Sequence, residues 1–222
     1  MEQVPTYLII GSGRLARHLS FYLNSKNINC RTWSRELDID LATVLEGCTH
    51  VLIAITDNAI EEFVKSNECL KDKVLVHFSG ANSIKGVLAF HPLMTFTNDL
   101  YKKEFYETIS FINFNEKITF QDVFPAISNP SPIVKKELMP YYHSLCVMGG
   151  NFTTLLWAKC LESFSEIGIG AESIRPYMEK VFDNTLSDPV KNLTGPLKRK
   201  DTQTINKNLS SIEDPNFKNL YQ

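Results

Sequence analysis

The opening of the chain constrains its fold more than any other stretch. A short apolar run, Tyr7 to Ile10, ends abruptly at Gly11-Ser12-Gly13, and helix-compatible residues follow through Arg14, Leu15 and Ala16. Gly11 permits the tight turn out of a strand, and Gly13 lets the backbone approach a pyrophosphate with no Cβ in the way. Ala16 is small enough for the new helix to pack against that strand. The helix N-terminus then offers unpaired N–H groups and the positive end of its dipole to phosphates. A glycine-rich turn that binds nothing has the same local appearance, so the next unit has to decide.

After that helix comes Asn29 to Trp33, which alternates like a strand and is followed by Ser34 and Arg35. They stand about 20 residues after the glycines, where a dinucleotide fold meets the adenosine ribose. A fold preferring NAD usually places Asp or Glu there, to accept from the ribose 2′-OH. A hydroxyl and a guanidinium instead suit a 2′-phosphate, through charge-assisted and bidentate bonds. The expected cofactor is therefore NADP, with Gly11, Ser12, Gly13, Arg14, Leu15, Ala16, Ser34 and Arg35 around it.

The alternation continues. Asp38 to Glu46 reads as a short helix closed by Gly47, and Val51 to Ile55 as a strand buried on both faces. Thr56 and Asp57 follow, and then a helix over Ala59 to Ser66. Lys73 to Phe78 is a strand ending at Ser79, Val87 to Phe90 a strand ending at His91, and Thr108 to Phe114 a last one. Doubly wound sheets hold ligands at the carboxyl ends of their strands. Thr56, Asp57 and Ser79 are thus further candidate cofactor contacts, and His91 a candidate catalytic group. Asp57 also reads as a plain N-cap, and His91 as a ring bonded to a neighbouring carbonyl.

Beyond Ser128 to Pro132, read as a linker or a tight loop, no strand pattern recurs. Pro140 fits a first helical turn, and nothing stops the helix before Gly168, giving about 28 residues. Apolar side chains coat most of it, which predicts burial along most of its length. One strip differs: His143, Val147, Gly150, Asn151, Thr154 and Ala158 are small or polar. Two mid-helix glycines, Gly149 and Gly150, cost about 1 kcal/mol each relative to Ala, which makes sense where a ligand or another backbone comes close. His143 and Asn151 are the candidate catalytic residues of that strip; a groove for a partner helix is the competing reading. A second helix over Ala171 to Thr185, a loop over Asn192 to Asp201 and a helix over Thr202 to Ser211 capped by Asp201 complete the chain. The tail beyond Pro215 reads as frayed or docked on a neighbour. The expected fold class is α/β: a Rossmann doubly wound parallel sheet (1–132) followed by an all-helical C-terminal domain (133–222).

Composition narrows the function classes. A net charge of −2 over 222 residues argues against a nucleic-acid-binding surface. The five cysteines form no C-x-x-C pair and no metal-ligand spacing, so no metal is expected and the thiols read as reduced. No secretory signal and no membrane-spanning run is visible, and the expectation is a soluble cytoplasmic protein.

Several motifs recur together in order: Gly11 to Ala16, Ser34-Arg35, His77 to Ala81, Phe90 to Leu93, Tyr142-His143 with Asn151, and Leu193 to Pro196 followed by Arg199 and Asp201. With these the chain resembles a family of Rossmann-like NADP-binding proteins whose helical C-terminal domain has no assigned function. Its relatives are ketopantoate reductase, pyrroline-5-carboxylate reductase, 6-phosphogluconate dehydrogenase and deazaflavin-dependent NADP reductases. The resemblance implies dimerisation through the helical domain and an active site in the cleft between the domains. Lys200 stands where that family usually has Gly, Asn208 where it usually has His, and Val147 where the wider superfamily often carries Lys. The expected function is an NADP(H)-dependent oxidoreductase acting on a small carbonyl or imine. A non-enzymatic NADP(H)-binding sensor or interaction protein is the alternative, and a purely structural dimer module a third reading.

Overall fold

A computed structural model describes residues 4–221, which divide into two compact units on either side of the Thr153–Thr154 bond. The first is built on a six-stranded sheet: β1 (Tyr7–Ile10), β2 (Cys30–Trp33), β3 (His50–Ile53), β4 (Val74–His77), β5 (Leu88–Pro92) and β6 (Phe111–Asn113), in the order β2-β1-β3-β4-β5-β6. β1 to β5 run parallel, and β6 alone pairs antiparallel, with His91 opposite Ile112. β6 is shorter than the expected 108–114 span and closes the sheet in the opposite sense.

Every residue of β1 and β3 is buried. Their side chains alternate between two cores: Tyr7, Ile9 and Leu52 on one face, Leu8, Ile10, Val51 and Ile53 on the other. Burial of such side chains is worth about 1.5–3 kcal/mol each, and their period of two explains why apolar runs without polar interruption form strands here. On these faces lie α1 (Arg14–Ser25), α2 (Leu41–Leu45), α3 (Ile60–Ser66), α4 (Lys103–Tyr106) and α5 (Phe120–Val123). The expected 38–46 helix shrinks to α2, because the Asp40 carboxylate accepts from the Ala42 N–H and starts the helix there.

The segment 128–132 is no linker. Phe111 donates its N–H to the Pro130 carbonyl and Asn113 its own to that of Pro132, stitching the segment to β6. Asn129, buried, donates to the carbonyls of Tyr106 and Ile109 and accepts from the Tyr22 hydroxyl at 2.6 Å. Two prolines that cannot donate thus supply, through their own carbonyls, acceptors for the N–H groups of β6.

The expected long helix forms, with a change of pitch. α6 (Met139–Cys146) passes into six residues of π-helix, Val147–Phe152, and then into α7 (Thr153–Glu166). The widened turn falls on Gly149-Gly150, the pair whose lack of side chains weakens the α-helical preference; such π segments are frequent at functional sites. Burial along this helix is not what its apolar coat predicts. No residue of α7 is buried, and Met148, Phe152 and Leu155 are 57%, 59% and 68% exposed. Each of these apolar side chains is thus more than half open to solvent.

The second unit continues with α8 (Ala171–Ser187), α9 (Gly195–Arg199), α10 (Thr202–Ser211) and α11 (Pro215–Tyr221). The expected 192–201 loop holds α9, and the tail is helical, with the Tyr221 hydroxyl accepting from Asn208 at 2.8 Å. Asp201 caps α10, its carboxylate accepting from the Thr204 N–H at 3.0 Å. Lys200 adopts φ +53 at the end of α9. That is the left-handed conformation glycine takes most easily, which accounts for the glycine of the resembled family at this position.

Candidate functional site

β2 follows β1 on one side of the sheet and β3 lies on the other, so the carboxyl ends of β1 and β3 flank the point where the winding reverses. Such a point opens a crevice. Gly11 is the first residue beyond β1, at φ +126, and a Cβ built on it would stand 2.4 Å from the Ala54 carbonyl oxygen. Only glycine lets the turn lie this close to the end of β3. Gly13 is different: a Cβ there would meet nothing within 4 Å. It occupies the N-cap of α1 without a side-chain cap, so the first N–H groups of that helix are left for something else.

A cleft of about 1010 Å³ lies over this turn. Of the predicted contacts, Gly11, Ser12, Gly13, Arg14, Leu15, Ser34, Arg35 and Thr56 line it, and so does Asn151. Ala16 does not; it is buried in the core beneath α1. Asp57, Ser79, His91 and His143 also lie off the lining of this cleft. The far wall comes from Met94, Thr95 and Phe96. His18 anchors that wall from within the core: its Nε2 bonds the Thr97 carbonyl at 3.1 Å and its Nδ1 the Tyr106 hydroxyl at 2.7 Å. Nothing in the sequence distinguished this histidine from any other polar residue on a helix.

A second polar cluster sits at the carboxyl ends of β3, β4 and β5. Asp57 makes no side-chain cap, contrary to its plain N-cap reading. Its carboxylate instead accepts from the Ser79 hydroxyl at 2.6 Å, and the Ser79 oxygen accepts the N–H groups of Ala81 and Asn82. Asn82 donates its side-chain amide to the Asp57 carbonyl at 2.8 Å, closing the loop. The Ser79 N–H donates to Nδ1 of His77 at 3.2 Å, which puts the His77 proton on Nε2, a buried atom with no partner. Burial pushes His77 down to about 4, with the Asp57 charge opposing.

His91 and His143 stand beside this loop, their ring centroids 6.1 Å apart. Gly80 separates them: a Cβ there would fall 2.9 Å from Cδ2 of each ring. Nδ1 of His91 bonds the Tyr142 hydroxyl at 2.6 Å. Burial, then the neighbouring His143, push His91 down to about 4, against the pull of Asp57. Burial raises Tyr142 far above its ordinary value. Both are therefore neutral at physiological pH. His143 and Asn151, grouped on one helical strip by their spacing, take separate places: His143 joins the histidine cluster and Asn151 lines the cleft, with the π-helical turn between them. Sequence reasoning passed over Tyr142 and Gly80, although both lie in the quoted motifs. Tyr142 falls at helical spacing from Leu138 and Leu145, as a member of the helix's apolar coat would, and its ring does pack on Phe114.

Among the described residues no group of three or more His, Cys, Asp or Glu is arranged to hold a metal ion, and no helix is long and apolar enough to cross a membrane.

Sheet order, turn and cleft together define a Rossmann-type α/β unit joined to a helical unit. Residues 115–222 match the family described as Domain of unknown function (DUF2520). The fold recurs in a Bacteroides fragilis protein provisionally described as an NADP oxidoreductase, at TM-score 0.77 and 19% identity, covering 98% of this chain and 95% of that one. It recurs in a Thermotoga maritima protein at TM-score 0.68 and 21% identity, over 97% and 94% of the two chains. Plasmodium falciparum pyrroline carboxylate reductase, solved with NADP bound, shares it at TM-score 0.61 and 12% identity, over 91% of each chain. No curated protein matches the chain by sequence. At these identities the likeness is one of fold.

Proposed function

We propose that the protein is an NADP(H)-dependent oxidoreductase that reduces a small carbonyl or imine substrate. One observation carries the reading: the open face of Gly13, the uncapped start of α1 and the Ser34-Arg35 pair all line one cleft at the point where the sheet's winding reverses. Uncapped N–H groups at a helix start suit a pyrophosphate, and a guanidinium beyond β2 suits a 2′-phosphate. The structural neighbours described as NADP oxidoreductase or solved with NADP support the same cofactor. When bound, NADPH supplies a hydride. The chain has to orient the acceptor and neutralise the charge that develops on its oxygen or nitrogen. His143 is assigned the proton, since imidazole exchanges protons near neutral pH, and Asn151 the orientation of the acceptor atom. Thr56 adds to the cofactor's surroundings, while Asp57 and Ser79 stand off the cleft's lining as a bonded pair.

The exposed apolar side chains Met148, Phe152 and Leu155 support a homodimer joined through the helices after Met139, because an apolar helix face favours cover by another surface. A non-enzymatic NADP(H)-binding protein remains the second reading, favoured by one observation: His91 is held neutral and Val147 brings no ammonium to the helix.

Titration with NADPH and NADH, for the wild type and Arg35→Ala, tests the cofactor. A lost charge-assisted contact costs about 1.5–3 kcal/mol, or about ten- to a hundredfold in NADPH affinity, with NADH little affected. Equal affinities in the wild type would remove the assignment. Oxidation of NADPH in the presence of small ketones and cyclic imines then separates enzyme from sensor.

A further inference from the structure

Tyr142 and His91 are bonded members of the histidine cluster to which the proposed reaction has so far given no task. The Tyr142 ring belongs to an apolar group with Ala89, Ile112, Phe114 and Met139, yet its hydroxyl reaches 2.6 Å from Nδ1 of His91. A phenol in that position is costly to bury without a partner, and an imidazole nitrogen answers the need. Cys146 acts on this hydroxyl in the sense that keeps the phenol protonated.

The other end of His91 is open. Its Nε2 makes no hydrogen bond to the protein among the described residues, and only Nε2 of His77 is both buried and unpaired. The two rings thus repeat one arrangement. In each, Nδ1 is occupied by a fixed partner, the Ser79 N–H for His77 and the Tyr142 hydroxyl for His91. A donor at Nδ1 leaves the proton of a neutral ring on Nε2. For His77 that proton is sealed in the protein. For His91 it faces accessible space at the carboxyl end of β5, beside His143.

We propose that Tyr142 is a positioning residue: it donates to Nδ1 of His91 and locks the ring as the neutral tautomer that presents Nε2–H to the substrate. This rests on the oxidoreductase reading. His91 then acts as a hydrogen-bond donor to the acceptor's oxygen or nitrogen, and loses no proton in the step, since a neutral imidazole that gave one up would become an anion. The proton itself falls to His143. The balance of the groups that set the charge on His91 favours this division. Burial and the neighbouring His143 disfavour its cation, Asp57 opposes them through space, and Tyr142, raised by burial, stays neutral. A donor that is neutral and fixed stabilises developing negative charge without having to reorganise.

Nitrogen NMR on the full chain labelled with ¹⁵N-histidine tests this directly, since long-range proton–nitrogen correlations report which ring nitrogen carries hydrogen. The His91 signals are identified by their loss in His91→Gln. The wild type at pH 7 should show a bare Nδ1 and a protonated Nε2, and should hold that state down to about pH 5. Tyr142→Phe keeps the ring and its packing and should give a mixture of tautomers. A wild-type His91 protonated on Nδ1, or an unchanged tautomer in Tyr142→Phe, overturns the proposal. The wild-type spectrum alone decides the first point, whether or not the variant folds. NADPH titration of the same samples separates the two layers: failure to bind would sink the oxidoreductase reading and leave the tautomer result standing.

Discussion

Gly11 and the carbonyl of Ala54 are so close that a Cβ on the glycine would stand 2.4 Å from the oxygen, while the same addition at Gly13 would touch nothing. Two glycines in one turn therefore fail in different ways. Gly11→Ala must move the end of β3 and adopt an unfavourable φ, so it should destabilise the protein by about 2–4 kcal/mol. Gly13→Ala should cost about 1 kcal/mol or less and still lower NADPH affinity at least tenfold, because the new methyl group fills the space of the phosphates. Thermal denaturation and cofactor titration of both variants measure the contrast. Loss of stability at Gly13 with intact binding would reverse the roles.

Stability should depend on pH through the buried histidines. His77 and His91 are each pushed down to about 4 in the folded protein and His50 is lowered by burial, against 6.5 for the free side chain. In the window between the two values the unfolded chain binds more protons than the folded one. The stabilisation is therefore complete above pH 6.5 and is lost as pH falls towards 4. For His77, fully buried, the loss is about 3 kcal/mol at most. Denaturant melts of the wild type and His77→Gln at several pH values should show a shallower acid slope in the variant.

The Asp57–Ser79 pair holds two strand ends together, and each residue should need the other. Ser79→Ala removes the hydroxyl that serves the carboxylate and two backbone N–H groups, and should cost about 1–3 kcal/mol. Asp57→Asn keeps the shape and removes the charge. It should lower the pH at which His77 titrates, since the Asp57 charge acts to raise it. An unmoved His77 titration would show that the carboxylate does not reach that ring.

Light scattering coupled to size exclusion should find a dimer at micromolar concentration. Leu155→Glu and Phe152→Glu place charges on the exposed apolar face and should each shift the population to monomer, with the melting temperature losing the concentration dependence that dimerisation gives the wild type. A monomeric wild type would leave that face without the proposed cover.

Lys200→Gly should stabilise the helical unit by up to about 1 kcal/mol, because φ +53 costs lysine more than glycine. The change is read as a rise in melting temperature with an unaltered NADPH affinity.

Much of this was legible in the chain itself. The apolar runs at 7–10 and 51–55 marked buried strands, and the glycines after the first marked the turn, since these signals are local: a strand's side chains alternate every second residue, and a left-handed φ selects glycine on the spot. The place of Ser34-Arg35 followed from counting along one βαβ unit. The histidine cluster did not follow. Ser79 and Asp57 lie 22 residues apart and His91 and Tyr142 lie 51 apart, so no window of sequence contains either pair. Asp57 satisfied the local rule for a helix cap, but the tertiary fold gave it a better donor in Ser79. Tyr142 satisfied the pattern of an apolar stripe, and its ring obeys it; only the meeting of β5 with α6 gives the hydroxyl a partner. The linker reading of 128–132 failed for the same reason, because prolines report where a chain cannot donate and leave open which strand donates to its carbonyls. Sequence thus determined the elements and the turn, whose causes are local, while the tertiary structure decided hydrogen bonding and protonation, which depend on what burial brings together and takes from water.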